Sequence, residues 1–126
     1  MEKKQKILVV EDDSLVSKNI QEFLTEEGFD VICVFTGRNA VTVCEEDFAI
    51  FDIDLVLMDG DLGKSSDING FEAAQMIKRI CSSSPIICIS GEDIPDKYRK
   101  CFVAHCKKPF SFDQLVPLIR KTLQKS

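Results

Sequence analysis

Residues 52–63 read DIDLVLMDGDLG, and the fold turns on what this stretch is. An apolar run, Leu55 to Met58, stops abruptly at Asp59-Gly60-Asp61, so a buried strand must deliver carboxylates at its tip. A like-charge pair at such a place either raises a pKa or demands a cation. Three further runs share the strand length and β-branched character of the first: KILVV ending at Val10, VICVF from Val31 and PIICIS from Pro85. A weaker fifth is CFVAHC from Cys101. The first four are nearly unbroken rather than alternating, as strands buried on both faces of a parallel sheet are.

Segments of helical period separate these strands. Leu15, Val16, Ile20, Phe23 and Leu24 share one face of a helix that Gly28 can end in a left-handed cap. Ala40, Val41 and Cys44 mark a second helix after a Thr-Gly turn, and Phe71, Ala74, Ile77 and Cys81 a third after Asn-Gly. The last helix is expected to begin at Ser111, whose hydroxyl would cap the first turn while Gln114 reaches back. It would bury Phe112, Leu115, Val116, Leu118 and Ile119, with Pro117 loosening or kinking it. The fourth crossover, GEDIPDKYRK, has room for only two or three turns, and Pro95 suits its start. Strands alternating with helices over the whole chain give an α/β fold. It is a single doubly wound five-stranded parallel sheet, residues 1–126 forming one domain with no effector domain attached.

Composition narrows the function. With 126 residues, 44% of them hydrophobic, the chain can bury one core. Its 16 basic against 21 acidic residues give a net charge of -5 and no Lys/Arg run beyond the short EKKQK at the start, which argues against direct nucleic-acid binding. The apolar stretch before Glu11 is too short for a signal peptide or a membrane span, so a cytoplasmic protein is expected. Six cysteines lie mostly inside apolar runs, where they act as small hydrophobes. Cys101, His105 and Cys106 lack the fourth ligand and the CxxC pair of a structural zinc site.

In open α/β sheets ligands bind outside the carboxyl ends of the strands. Those ends carry Glu11, Asp12 and Asp13, then Asp59 to Asp61, then Ser90, then Lys107 and Lys108. Glu11, Asp12 and Asp59 in one pocket would repel by several kcal/mol at an effective dielectric of about 20, so a hard divalent cation, Mg²⁺ or Mn²⁺, is the natural occupant. Such an ion spends its open positions on water and phosphate oxygens. Lys108 suits one phosphoryl oxygen and Ser90 another. The set describes a site for a phosphoryl group on or near a carboxylate.

The chain resembles the receiver domains of two-component response regulators over nearly its whole length. The resemblance rests on ILVVEDD, LVLMDGDL, NGFEAAQMIK, PIICIS and KKPF, in that order. It implies a flavodoxin-like (βα)5 fold and Asp59 as phosphoacceptor, fed by a histidine kinase, a histidine phosphotransfer protein or a small phosphodonor. It also implies that Glu11, Asp12 and Asp59, with the Asp61 backbone carbonyl, hold the metal. Ser90 would be the switch hydroxyl, Lys108 the phosphate partner, and the Lys108–Pro109 bond cis. Phosphorylation would then reshape the face around the fourth helix, that of the fourth crossover, and the fifth strand for a downstream effector. The chain is expected to be a regulatory domain rather than an enzyme, assisting its own phosphorylation and dephosphorylation.

Several positions depart from the family pattern. Gly63 replaces a common proline, and KSSD at 64–67 lengthens the following loop. Asp61 stands where a neutral polar residue is frequent; its carboxylate either orders a metal-bound water and alters autodephosphorylation or is simply an exposed loop acid. His105 replaces the usual Tyr or Phe, either as a half-buried hydrogen-bonded residue or as a small switch rotor titrating near neutral pH. Only seventeen residues separate Ser90 from Lys108, so the fourth crossover should be short or irregular. Two enzyme classes also place acids this way: Asp-x-Asp phosphatases of the haloacid-dehalogenase kind, and Toprim-type metal enzymes using Glu11, Asp59 and Asp61. A receiver serving as an unphosphorylated interaction module is the third alternative.

Overall fold

The computed structural model describes residues 3–51, 53–62, 68–81 and 83–124, without the side chains of 47–51. Gly63 and the KSSD insert lie outside the described residues. The strands are β1 (Lys6–Val10), β2 (Asp30–Val34), β3 (Ile53–Asp59), β4 (Ile86–Ser90) and β5 (Ala104–Lys107). They form one parallel sheet in the order β2-β1-β3-β4-β5. The helices are α1 (Ser14–Glu26), α2 (Gly37–Phe51), α3 (Gly70–Ile80) and α4 (Phe112–Gln124). The expected doubly wound sheet is therefore what the chain adopts.

Strand alternation sorts the core into two layers. Ile7, Val9, Leu55, Leu57, Ile87, Ile89 and Cys106 meet Ile20 and Leu24 of α1 and Leu115, Val116, Ile119 and Leu123 of α4. Leu8, Val10, Val56, Met58 and Ile86 face the other way, onto Ala40, Val41 and Cys44 of α2 and Ala73, Ala74 and Ile77 of α3. Fully burying a Leu or Ile side chain contributes roughly 1.5–3 kcal/mol, and such residues fill both layers.

Local signals set the helix boundaries. Asp13 caps α1, its Oδ1 accepting from the N–H groups of Leu15 (2.9 Å) and Val16 (3.1 Å). Gly28, at φ +97°, supplies the left-handed turn after α1. Asn69 and Glu72 form a complete capping box on α3, at 2.8 and 3.2 Å.

Some expectations need correction. Leu15 is 66% exposed rather than part of the buried face of α1; at 100° per residue it lies about half a turn from Leu24. At α4, Gln114 Oε1 accepts from the Ser111 N–H at 3.2 Å as expected. The Gln114 N–H, however, donates to the Ser111 backbone carbonyl at 3.1 Å rather than to its hydroxyl. The helix runs on through Pro117, and Phe112 and Leu118 are half-buried rather than buried. The fifth strand begins at Ala104, not Cys101. Cys101 closes a 3₁₀ segment, Asp96–Cys101, and Phe102 turns in to meet the Phe71 ring edge-on.

That 3₁₀ segment is the helical part of the fourth crossover, residues 91–103, which is short and irregular as the spacing predicts. Pro95 precedes it, and its Tyr98 is buried against Phe71, the ring centroids 5.7 Å apart. Among the described residues, no helix is long and apolar enough to cross a membrane.

Candidate functional site

The parallel register carries the ends of β1, β3, β4 and β5 to one edge of the sheet. Glu11 follows β1, and its backbone N–H is held by the Val34 carbonyl at 3.2 Å. Asp59 is the last residue of β3, and Ser90 the last of β4. Lys108 follows β5 and donates its backbone N–H to the Ser90 carbonyl at 2.8 Å. The Lys108–Pro109 bond is cis, as the resemblance implies.

The side chains meet there. Lys108 Nζ lies 2.9 Å from Glu11 Oε1 and 3.1 Å from Asp59 Oδ2. Asp59 Oδ1 accepts the Asp61 N–H at 2.9 Å, and Glu11 Oε2 the Asp13 N–H at 3.1 Å. Glu11 and Asp59 are both only 2% exposed, so two carboxylates share one ammonium in a largely dry place. Burial, the largest influence, pushes the Glu11 carboxyl up to about 7. The hydrogen bond from Lys108 opposes that rise, and the neighbouring Asp59 adds to it. For Lys108, burial acts to lower the pKa, but its bonds to Glu11 and Asp59 outweigh it and raise the value.

One carboxylate oxygen each from Glu11, Asp12 and Asp59 can be chosen so that all lie within 4.8 Å of one another. Among the described residues this is the only such group of potential metal ligands. Cys101, His105 and Cys106 are not brought together as ligands, since His105 and Cys106 are consecutive in a strand and point to opposite faces. All six cysteines are free thiols. Asp61 is exposed, and its carboxylate lies outside the acidic group; its backbone N–H is the part bonded to Asp59. The Glu11, Asp59, Asp61 set of a Toprim-type site is thus not assembled.

Ser90 and His105 form a second, adjoining arrangement. Ser90 is fully buried, and its hydroxyl donates to the Glu92 backbone carbonyl. The same Oγ lies 3.1 Å from Nε2 of His105, which is half-buried on β5.

Glycines permit the close packing beneath Asp59. Gly70, the first residue of α3, donates its N–H to the Gly60 carbonyl at 3.2 Å. A Cβ at Gly70 would overlap the Asp59 carbonyl oxygen, and one at Gly60 would overlap the Phe71 ring. Gly70→Ala should therefore push α3 off the site and destabilise the fold by about 3 kcal/mol. Equilibrium denaturation would show this as a lower midpoint; an unchanged one would mean the helix start yields freely.

A groove of about 440 Å³ opens beside Lys108, lined by Val16, Asn19 and Ile20 of α1 and by Pro109, Phe110 and Phe112.

The response regulator receiver domain family matches residues 7–120 of the chain. The chain belongs to that family. This receiver domain is 28% identical over 125 residues to the cell cycle transcriptional regulator CtrA of Caulobacter vibrioides, covering 96% of this chain and 51% of CtrA. The chain thus spans about half the length of the curated relatives it matches. Its fold superposes on a CheY-like receiver domain of Methanospirillum hungatei with a TM-score of 0.85 at 21% identity, covering 98% of this chain and 96% of that one. The receiver domain of the sensor histidine kinase PA1611 of Pseudomonas aeruginosa superposes with a TM-score of 0.81 at 24% identity, covering 97% and 99%. That structure holds a magnesium ion in its active-site cleft.

A reading of strand ends names Asp13 but not its task, and it misses the start of α3 in this receiver domain's site. Asp13 both caps α1 and anchors Glu11, and the Asn69–Glu72 box delivers Gly70 against Asp59. The Asn-x-x-Glu spacing was the available signal for the second.

Proposed function

We propose that residues 1–126 act as a phosphoacceptor unit in which Asp59 takes a phosphoryl group from a phosphohistidine or a small acyl phosphate. The observation that carries this is Lys108 Nζ bridging Glu11 and Asp59 in a pocket where three carboxylate oxygens cluster. The residues fit a divalent cation. Three carboxylates come together where one ammonium, that of Lys108, pairs with two of them, and Glu11 and Asp59 are buried. Glu11, Asp12 and Asp59 would hold Mg²⁺ or Mn²⁺, joined by the Asp61 carbonyl; the magnesium in the PA1611 receiver supports that choice. When bound, the ion would supply charge neutralisation to the transferring phosphoryl group.

The chain's own residues do the remaining work. An Asp59 carboxylate oxygen attacks phosphorus while the donor's P–N bond, or the P–O bond of an acyl phosphate, breaks; the leaving imidazole takes up a proton. Asp59 is oriented by the Asp61 N–H and by Lys108, which is placed to follow negative charge onto the phosphoryl oxygens. Ser90 would donate its hydroxyl to another phosphoryl oxygen, shifting the loop after β4, the 3₁₀ segment and β5 toward a second state. The apolar groove beside Lys108 suits a helix of the kinase or phosphotransfer protein that presents the phosphohistidine. A cytoplasmic site of action follows from those donors.

Incubation with acetyl phosphate and Mg²⁺ tests the reading. One acid-stable, hydroxylamine-sensitive phosphoryl adduct should form, and Asp59→Asn should not form it. Continuous phosphate release from many phosphomonoesters would indicate a phosphatase instead. Absence of any adduct would indicate an interaction module.

A further inference from the structure

His105 is a part of the site that the phosphoacceptor reading leaves without a defined task. Its Nε2 lies 3.1 Å from Ser90 Oγ, and the directions of the hydrogen bonds around that oxygen can be assigned by counting protons. A serine hydroxyl has one proton to give. The Glu92 carbonyl can only accept, so Ser90 spends its proton there. The contact with His105 must then run the other way, with Nε2–H donating to a lone pair of Ser90 Oγ.

We propose that His105 is a positioning residue: its Nε2–H latches the Ser90 hydroxyl onto the Glu92 carbonyl and holds the domain in its unphosphorylated state. This rests on the reading of Asp59 as phosphoacceptor. The hydrogen bonds fall into two sets, Asp59 with Lys108 and Asp61 in one, Ser90 with Glu92 and His105 in the other, and the buried Cys88 thiol lies against the Ser90 hydroxyl and the Gly60 backbone. For Ser90 to serve a phosphoryl group on Asp59, its proton must leave the Glu92 carbonyl and its oxygen must swing away from Nε2. A phenyl ring at position 105 offers no such donor. A glutamine does, since its amide nitrogen stands in for Nε2. Asp93 and Lys107, the ion pair flanking this loop and strand at 3.4 Å, face each other rather than the Ser90 hydroxyl.

Beryllofluoride with Mg²⁺ mimics the phosphorylated state, and its half-saturating concentration reads the latch. His105→Phe should lower that concentration about fivefold, the effect of one ordinary hydrogen bond lost from the resting state. His105→Gln should stay within about twofold of the parent. In a Ser90→Ala background His105→Phe should have no effect, because the cycle isolates the pair. An unchanged or weaker response of His105→Phe, or the same gain without the Ser90 hydroxyl, overturns the latch.

The imidazole ¹⁵N spectrum of the unphosphorylated protein supplies a second measurement. A proton on Nε2, exchanging faster in Ser90→Ala, supports the latch, whereas a proton on Nδ1 alone refutes it. Failure of the phosphoacceptor reading looks different. The parent protein would then ignore beryllofluoride, while the ¹⁵N result would still decide whether His105 donates to Ser90.

Discussion

Lys108→Ala should slow phosphorylation of Asp59 by acetyl phosphate about a hundredfold, the usual cost of removing one preorganised donor from developing charge. The side chain is 32% exposed, yet its ammonium reaches two carboxylates that are each only 3% exposed as side chains. Its removal leaves Glu11 and Asp59 facing each other with no counter-charge between them. The unloaded protein should therefore lose about 2 kcal/mol of stability near pH 8, a figure reduced from the fully buried case because Lys108 is partly solvated. Lowering the pH should return much of that loss, since Glu11 can take a proton. Single-turnover phosphorylation and pH-resolved thermal melts check the two parts. A near-normal rate in Lys108→Ala would remove the residue from the chemistry.

The second large effect is on metal affinity. Burial pushes Glu11 up to about 7 from an ordinary 4.5, so the fold favours its protonated form. The sign follows from linkage. Between about pH 4.5 and 7 the unfolded chain has already released this proton while the folded chain keeps it, so Glu11's contribution to stability falls as pH rises through that window. A divalent cation needs the ionised form and must displace the proton. Mg²⁺ affinity should therefore drop about tenfold per pH unit below about pH 7. Equally, the rise in melting temperature on adding Mg²⁺ should be large at pH 8 and nearly absent at pH 5.5. Glu11→Gln should bind the ion weakly and with little pH dependence. Isothermal titration across this range makes the comparison, and an affinity flat from pH 5.5 to 8 would remove Glu11 from the ligand set.

Much of this was readable from residue patterns because each strand end is marked by an abrupt change of chemistry. Val10 to Glu11 and Met58 to Asp59 are steps from fully apolar to charged, and a parallel sheet carries such steps to one edge. The cis bond before Pro109 came from resemblance alone, because spacing says nothing about peptide isomers. Leu15, an apolar residue in the first turn of α1, satisfies a loose periodicity while lying outside the buried arc. The start of β5 is not legible in the sequence because Phe102 and Val103 are as apolar as a strand, and only the 3₁₀ turn before them fixes where pairing begins. Hydrogen-bond direction at Ser90 lies beyond any sequence pattern, since it depends on a backbone carbonyl two residues on.

The sequence DGD presents two acids of equal standing, and the structure separates them. Asp59 is buried and bonded to Lys108 and to the Asp61 N–H, while the Asp61 carboxylate faces solvent. That difference makes a sharp claim about where a phosphoryl group forms. Borohydride reduces an aspartyl phosphate to homoserine, which peptide mass spectrometry can locate. After treatment with acetyl phosphate and Mg²⁺, homoserine should appear at position 59 alone. Homoserine at position 61, or at neither position, would contradict the account.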